Sequence, residues 1–164
     1  MNNSILKKIV IAGAVLAAMY FVARPLAMYM FAKALRGGGG EAKQTLGQLD
    51  MVRSALQIYY QDTEGKYPAS LETLAENGKY LTSGEIPKAR IFGKKGGEDF
   101  AHLHSGSETK VKLFRSPKEA DDAGGWGYVA DPSSPEYGTA FINCTHLYMG
   151  SRNGRGYKEP WNSF

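Results

Sequence analysis

A chain of 164 residues with a formal net charge of +4 and one cysteine has room for one small core and cannot form a disulfide within itself. Its basic residues (Lys66, Lys79, Lys88, Lys94, Lys95, Lys110, Lys112) are scattered rather than gathered on one face, which favours a solvated surface and argues against nucleic-acid binding. The composition averages an apolar front and a back rich in Gly, Lys, Ser, Thr and Tyr, so the two parts are read separately.

The front, Ile9 to Ala32, is apolar. As a helix it would be roughly 36 Å long, more than the roughly 30 Å of a hydrocarbon core, and residues 1–36 are therefore expected to form a membrane-spanning helix. Arg24 and Pro25 interrupt it, and Arg24 can snorkel to the headgroups beside Tyr20, Tyr29 and Phe31. A secretory signal peptide is the rival reading, but the Ala-rich stretch at residues 27–34 is a poor cleavage match. Lysines and arginines flank both sides (Lys7, Lys8; Arg24, Lys33, Arg36), so positive charge leaves the orientation open.

Residues 37–40 are four glycines, each unfavourable in a helix by about 1 kcal/mol against alanine, and they read as a hinge. Residues 41–164 then read as a globular domain. Ala42, Leu46, Leu49, Val52, Leu56 and Tyr59 recur at spacings of three and four, opposite Lys43, Gln44, Gln48, Asp50, Arg53 and Gln57, which predicts an amphipathic helix over 41–61 whose apolar face packs on the protein's own sheet. Asp62 to Pro68 ends it. A short second helix is expected over 69–77, closing at Asn77-Gly78.

Period-two patterning follows at Val111 and Leu113, at Gly127 to Ala130 and at Thr139 to Thr145, separated by Gly-, Asp- and Pro-rich turns. Antiparallel strands are expected at about 109–148, with the tail from Gly150 as a surface segment pinned by Tyr157 and Trp161. Ala140, Ile142 and Cys144 share one face of the last run, which makes Cys144 a buried, inert thiol. The fold class is thus α+β: a long N-terminal helix, membrane-spanning in its first half, packed on a small antiparallel sheet.

The apolar segment with an internal proline, the helix with Leu46-Gly-Gln-Leu-Asp-Met-Val-Arg-Ser-Ala-Leu-Gln-Ile-Tyr-Tyr60, and the turn Asp62-Thr-Glu-Gly-Lys-Tyr-Pro68 resemble the type IV pilin and type II secretion pseudopilin family. Gly124-Gly-Trp-Gly-Tyr128 and Phe141-Ile-Asn-Cys-Thr-His146 are similar to the sheet of its short members. The resemblance implies a pilin-like fold and a structural subunit of the bacterial inner membrane, its C-terminal domain periplasmic, or extracellular once in a filament. It also implies partners: copies of itself, membrane lipid, and pilus or secretion assembly machinery.

Assembly would run through Val15, Met19, Val22, Pro25, Leu26 and Met30 in the front, with Leu46, Leu49, Val52 and Leu56 in the domain. The family's early glutamate is missing, since no acidic residue precedes Glu41; the chain is either an unprocessed relative or one whose front has been altered. A monomeric single-pass membrane protein with a pilin-like binding domain is the alternative.

No enzymatic activity and no cofactor are expected. His102, His104 and His146 form a weak candidate metal set. Asp121, Asp122 and Asp131 could supply oxygen ligands to calcium, but the basic stretch Ser151 to Arg155 stands where the resemblance would place a calcium loop.

Overall fold

The residues that open the globular part form one helix, α1, over residues 40–62 of a computed structural model that describes residues 40–95, 98–152 and 155–164. Its inward face carries Ala42, Thr45, Leu49, Val52, Ala55 and Leu56, all buried, with Leu46 and Tyr59 half-buried against the same core. Burying side chains the size of Leu49, Val52 and Leu56 stabilises by about 1.5–3 kcal/mol each. Thr45 satisfies its buried hydroxyl by donating to the Arg90 carbonyl at 2.7 Å.

The helix stops where its last carbonyls find other donors. Thr63 Oγ1 and N both bond the Tyr59 carbonyl, at 2.7 and 3.0 Å, and Gly65 N bonds the Tyr60 carbonyl at 2.9 Å. Gly65 holds φ +89°, a left-handed cap that favours glycine. The turn that follows is pinned from the sheet side. Tyr137 Oη accepts from Tyr67 N at 3.0 Å and donates to the Tyr67 carbonyl at 3.1 Å, and buried Tyr128 donates to the Pro68 carbonyl at 2.8 Å.

Residues 69–77 form two short 3-10 turns, Leu71–Leu74 and Glu76–Gly78. Asn77 at φ 58° breaks the run, and Ala75 N bonds the Glu72 carbonyl three residues back, so no α-helical turn develops.

Among the described residues seven strands follow: β1 (Ile91–Lys95), β2 (Glu98–Leu103), β3 (Val111–Leu113), β4 (Trp126–Tyr128), β5 (Ala140–Ile142), β6 (Leu147–Arg152) and β7 (Arg155–Pro160). They begin before residue 109 and run past 148, so residues of the tail form a paired strand, β7, followed by the buried Trp161. β1 pairs β2 and β6 pairs β7, each pair antiparallel, and β3-β4-β5 makes a three-stranded sheet in which β3 runs parallel to β4.

The expected pilin-like fold, a long helix spanning the membrane in its first half and packed on one small antiparallel sheet, is therefore corrected. Among the described residues no helix is long and apolar enough to cross a membrane, because α1 carries the charged residues Glu41, Lys43, Asp50, Arg53 and Asp62. The strands divide into three small sheets, and the crossover over residues 114–125 is long enough to bring β4 back parallel to β3. Val15, Met19, Val22, Pro25, Leu26 and Met30, with the expected anchor and most of the glycine hinge, lie outside the described residues.

Large aromatic side chains fill the core. Trp126, Tyr128, Phe141, Tyr148 and Trp161 are fully buried, and both indole N–H groups are satisfied, Trp126 Nε1 by the Pro87 carbonyl at 2.8 Å and Trp161 Nε1 by the Phe92 carbonyl at 3.1 Å. Gly127 lies opposite Phe141 in the β4-β5 ladder, and a Cβ at 127 would sit 2.2 Å from the Phe141 ring. Only glycine admits the ring there.

Candidate functional site

Three loops converge at one end of these sheets. His104 follows β2, Asp122 lies in the crossover from β3 to β4, and Cys144 and His146 lie between β5 and β6. One ligand atom from each of the four can be chosen so that all lie within 4.8 Å of one another. Cys144 Sγ is 3.3 Å from His146 Nδ1, and Asp122 Oδ1 is 3.5 Å from that same nitrogen. The rings of His104 and His146 stand 5.3 Å apart between centroids.

Backbone pairing sets this approach. Asn143 and Gly124–Gly125 exchange bonds, Gly124 N to the Asn143 carbonyl and Asn143 N to the Gly125 carbonyl, both at 3.0 Å. The Asn143 side chain adds two more to Asp121, accepting from its N–H at 3.0 Å and donating to Oδ1 at 2.8 Å. On the other side Asn162 N bonds the Cys144 carbonyl at 2.9 Å and Trp161 N bonds the His146 carbonyl at 3.1 Å. The two residues Cys144 and His146 are thereby held between the second sheet and the last turn of the chain.

Asp122 and the backbone of His104 are held further. Thr145 donates to Asp122 twice, from N to Oδ1 at 2.5 Å and from Oγ1 to Oδ2 at 2.7 Å. Ser107 donates to the His104 carbonyl through Oγ at 2.6 Å. His104 and Asp122 both hold left-handed backbones, φ 59° and 58°, a conformation that costs of order 1–3 kcal/mol in a non-glycine residue and persists where its surroundings enforce it.

Burial pushes the Cys144 thiol up to about 12, and the Asp122 carboxylate beside it adds to the rise. Burial also acts to raise Asp122, but the Thr145 N–H and hydroxyl, followed by the His146 and His104 rings, outweigh it and leave the carboxyl below its usual value. The thiol is fully buried, and Asp122 meets the same imidazole nitrogen as the sulfur does. A Cys-His-Asp catalytic relay needs the carboxylate on the far nitrogen and an accessible thiolate, so the geometry does not suit nucleophilic catalysis.

Of the three histidines read from the sequence, the structure brings together His104 and His146. His102 is elsewhere, stacked on Phe92 with centroids 5.0 Å apart and facing Glu108 Oε1 at 3.5 Å. The aspartates do not converge as an oxygen set: Asp121 pairs with Lys112 and Asp131 bonds Ser133, while Asp122 joins the histidines. Cys144 is buried as its strand pattern required, yet it points into a polar cluster. The available signal was the Cys-Thr-His spacing just past a strand end, which turns two ligand-type residues to one side.

No family model matches this chain, no curated protein matches it in sequence, and no solved structure matches it in fold.

Proposed function

We propose that this protein is a structural subunit of the pilin or pseudopilin kind, which assembles with copies of itself into a filament of a type IV pilus or type II secretion-related system and carries out no catalysis. The observation that carries this reading is the outer face of α1. While one face is committed to the protein's own core, Gly47, Met51, Ser54 and Ile58 recur on another at intervals of four, three and four. Met51 and Ile58 are exposed by 53% and 51%, and a Cβ at Gly47 would meet nothing within 4 Å.

Apolar side chains alternating with small ones at this spacing form a seam into which a second helix packs. The occupant is the same face of another copy, and the apolar composition of residues 9–32 adds further side chains that must be removed from water. Before assembly that segment associates with the lipid of the bacterial inner membrane, which leaves the folded domain in the periplasm until the assembly machinery takes it up. The exposed thiol or open acid-base pair of an enzyme has no counterpart in the cluster described above.

The second reading is a monomeric membrane-attached protein whose outer domain binds a partner. A photo-crosslinking residue at position 51 separates the two. Assembly expects a product of two copies of this chain joined through α1; crosslinks only to lipid or to an unrelated protein would refute it.

A further inference from the structure

We propose that His104, Asp122, Cys144 and His146 bind one divalent transition-metal ion of the zinc class, which acts as a structural clamp on the three sheets.

The donor set selects the ion. A thiolate and two imidazoles suit zinc and its borderline neighbours, whereas calcium and magnesium require oxygen ligands throughout. The spacing agrees. A tetrahedral zinc site with bonds of about 2.0–2.3 Å has ligand-to-ligand edges of roughly 3.3–3.6 Å. Two contacts here are already at that length, Cys144 Sγ to His146 Nδ1 at 3.3 Å and His146 Nδ1 to Asp122 Oδ1 at 3.5 Å. The fourth residue, His104, completes the set within 4.8 Å.

Neighbouring groups hold three of the four residues in place. Thr145 fixes both oxygens of Asp122, and the backbones of Cys144 and His146 are held by Asn162 and Trp161. Such outer contacts orient ligands before the ion arrives. Four protein ligands leave no open position for substrate, so the site is structural rather than catalytic. As the ion binds, the Cys144 thiol releases its proton to solvent and the sulfur donates its electron pair to the metal.

The clamp has an evident purpose. His104 ends the β1-β2 pair, Asp122 belongs to the crossover of the three-stranded sheet, and Cys144 and His146 join that sheet to the β6-β7 pair. Two-stranded pairs are marginal by themselves. One ion would join three small sheets at their common end, in a chain that has a single cysteine and so no disulfide within itself.

The test uses the full chain, stripped with a chelator and titrated with cobalt(II), then with zinc. Expected are one cobalt per chain, visible bands of tetrahedral cobalt, a thiolate-to-cobalt charge-transfer band, and displacement by an equivalent of zinc. Cys144→Ser should remove the charge-transfer band. Because Cys144 is buried and its variant can fail to fold, His146→Ala, at an exposed position, is the second variant, expected to weaken cobalt binding at least tenfold with the circular dichroism of the fold retained. His102→Ala should leave binding unchanged. Failure to bind either metal, a charge-transfer band that survives in Cys144→Ser, unaltered affinity in His146→Ala, or loss of binding in His102→Ala would each overturn the proposal. The outcome is independent of filament assembly, since a chain can bind the ion and remain solitary.

Discussion

Gly124 and His104 occupy a space that cannot take one more carbon: a Cβ on Gly124 would stand 2.3 Å from the Cβ of His104 and 2.4 Å from Ser107 Oγ. Gly124 also holds φ +77°, so an alanine there is strained twice, by its own backbone and by the histidine it meets. Gly124→Ala is expected to lower stability by about 1–3 kcal/mol and to displace His104 from Asp122, Cys144 and His146. Chemical denaturation measures the first effect and a cobalt titration the second. Loss of stability with unaltered metal affinity would show that His104 is not positioned by this contact.

Tyr128 is the buried phenol that holds the turn after α1. Its hydroxyl donates to the Pro68 carbonyl at 2.8 Å, and burial, followed by the neighbouring phenols of Tyr137, Tyr67 and Tyr59, raises its pKa far above the ordinary value near 10. In the unfolded chain the phenol ionises at about pH 10, while in the folded chain it stays neutral. The folded state therefore binds the proton more tightly, and stability that is full below pH 10 falls as pH rises beyond it. Tyr128→Phe should lose about 1–2 kcal/mol at neutral pH, because the Pro68 carbonyl loses its donor. It should also flatten the decline above pH 10, which urea midpoints at a series of pH values would show.

Arg53 ties α1 to β5 and to Phe164. Its guanidinium donates to the Ala140 carbonyl through Nε at 3.2 Å and Nη2 at 3.0 Å, and also reaches the Phe164 carbonyl. A lysine has neither the planar fork nor the second donor direction. Arg53→Lys is expected to lose about 1–2 kcal/mol of stability and to loosen the end of the chain around Trp161, seen as faster amide exchange at Trp161 and Asn162. A variant as stable as the parent would mean that packing alone holds this corner.

Local rules account for some of this fold and not for the rest. Leu49, Val52 and Leu56 lie at helical spacing and the structure buries all three; the pattern arises within a few turns of one helix, so neighbouring residues suffice to show it. The parallel pairing of Val111 with Trp126 leaves no local trace, because it depends on how residues 114–125 return across the sheet. Gly93, Gly96 and Gly97 with paired lysines have the composition of a turn, and the pairing of Ile91 with Leu103 on either side of them depends on residues too far apart in sequence to show in a local pattern. The cluster was harder still. Cys144 follows an apolar alternation and reads as core until Asp122 and His104, distant in sequence, are brought beside it. The membrane-spanning expectation rests on the apolar length of residues 9–32, which lie outside those described; among the described residues no helix is long and apolar enough to cross.

The seam on α1 yields the sharpest distinction between assembly and a solitary protein. Met51 and Ile58 are the two large apolar groups that it exposes, and neither contributes to the buried core, so charging them leaves the domain folded. The direct measurement is electron microscopy, with sedimentation in parallel, of the full chain recovered from membranes, compared with the Met51→Lys, Ile58→Lys double variant. The account expects filaments or long oligomers from the parent, and small uniform particles from the variant with the same circular dichroism. Uniform monomers from the parent, or filaments that persist in the double variant, would contradict it.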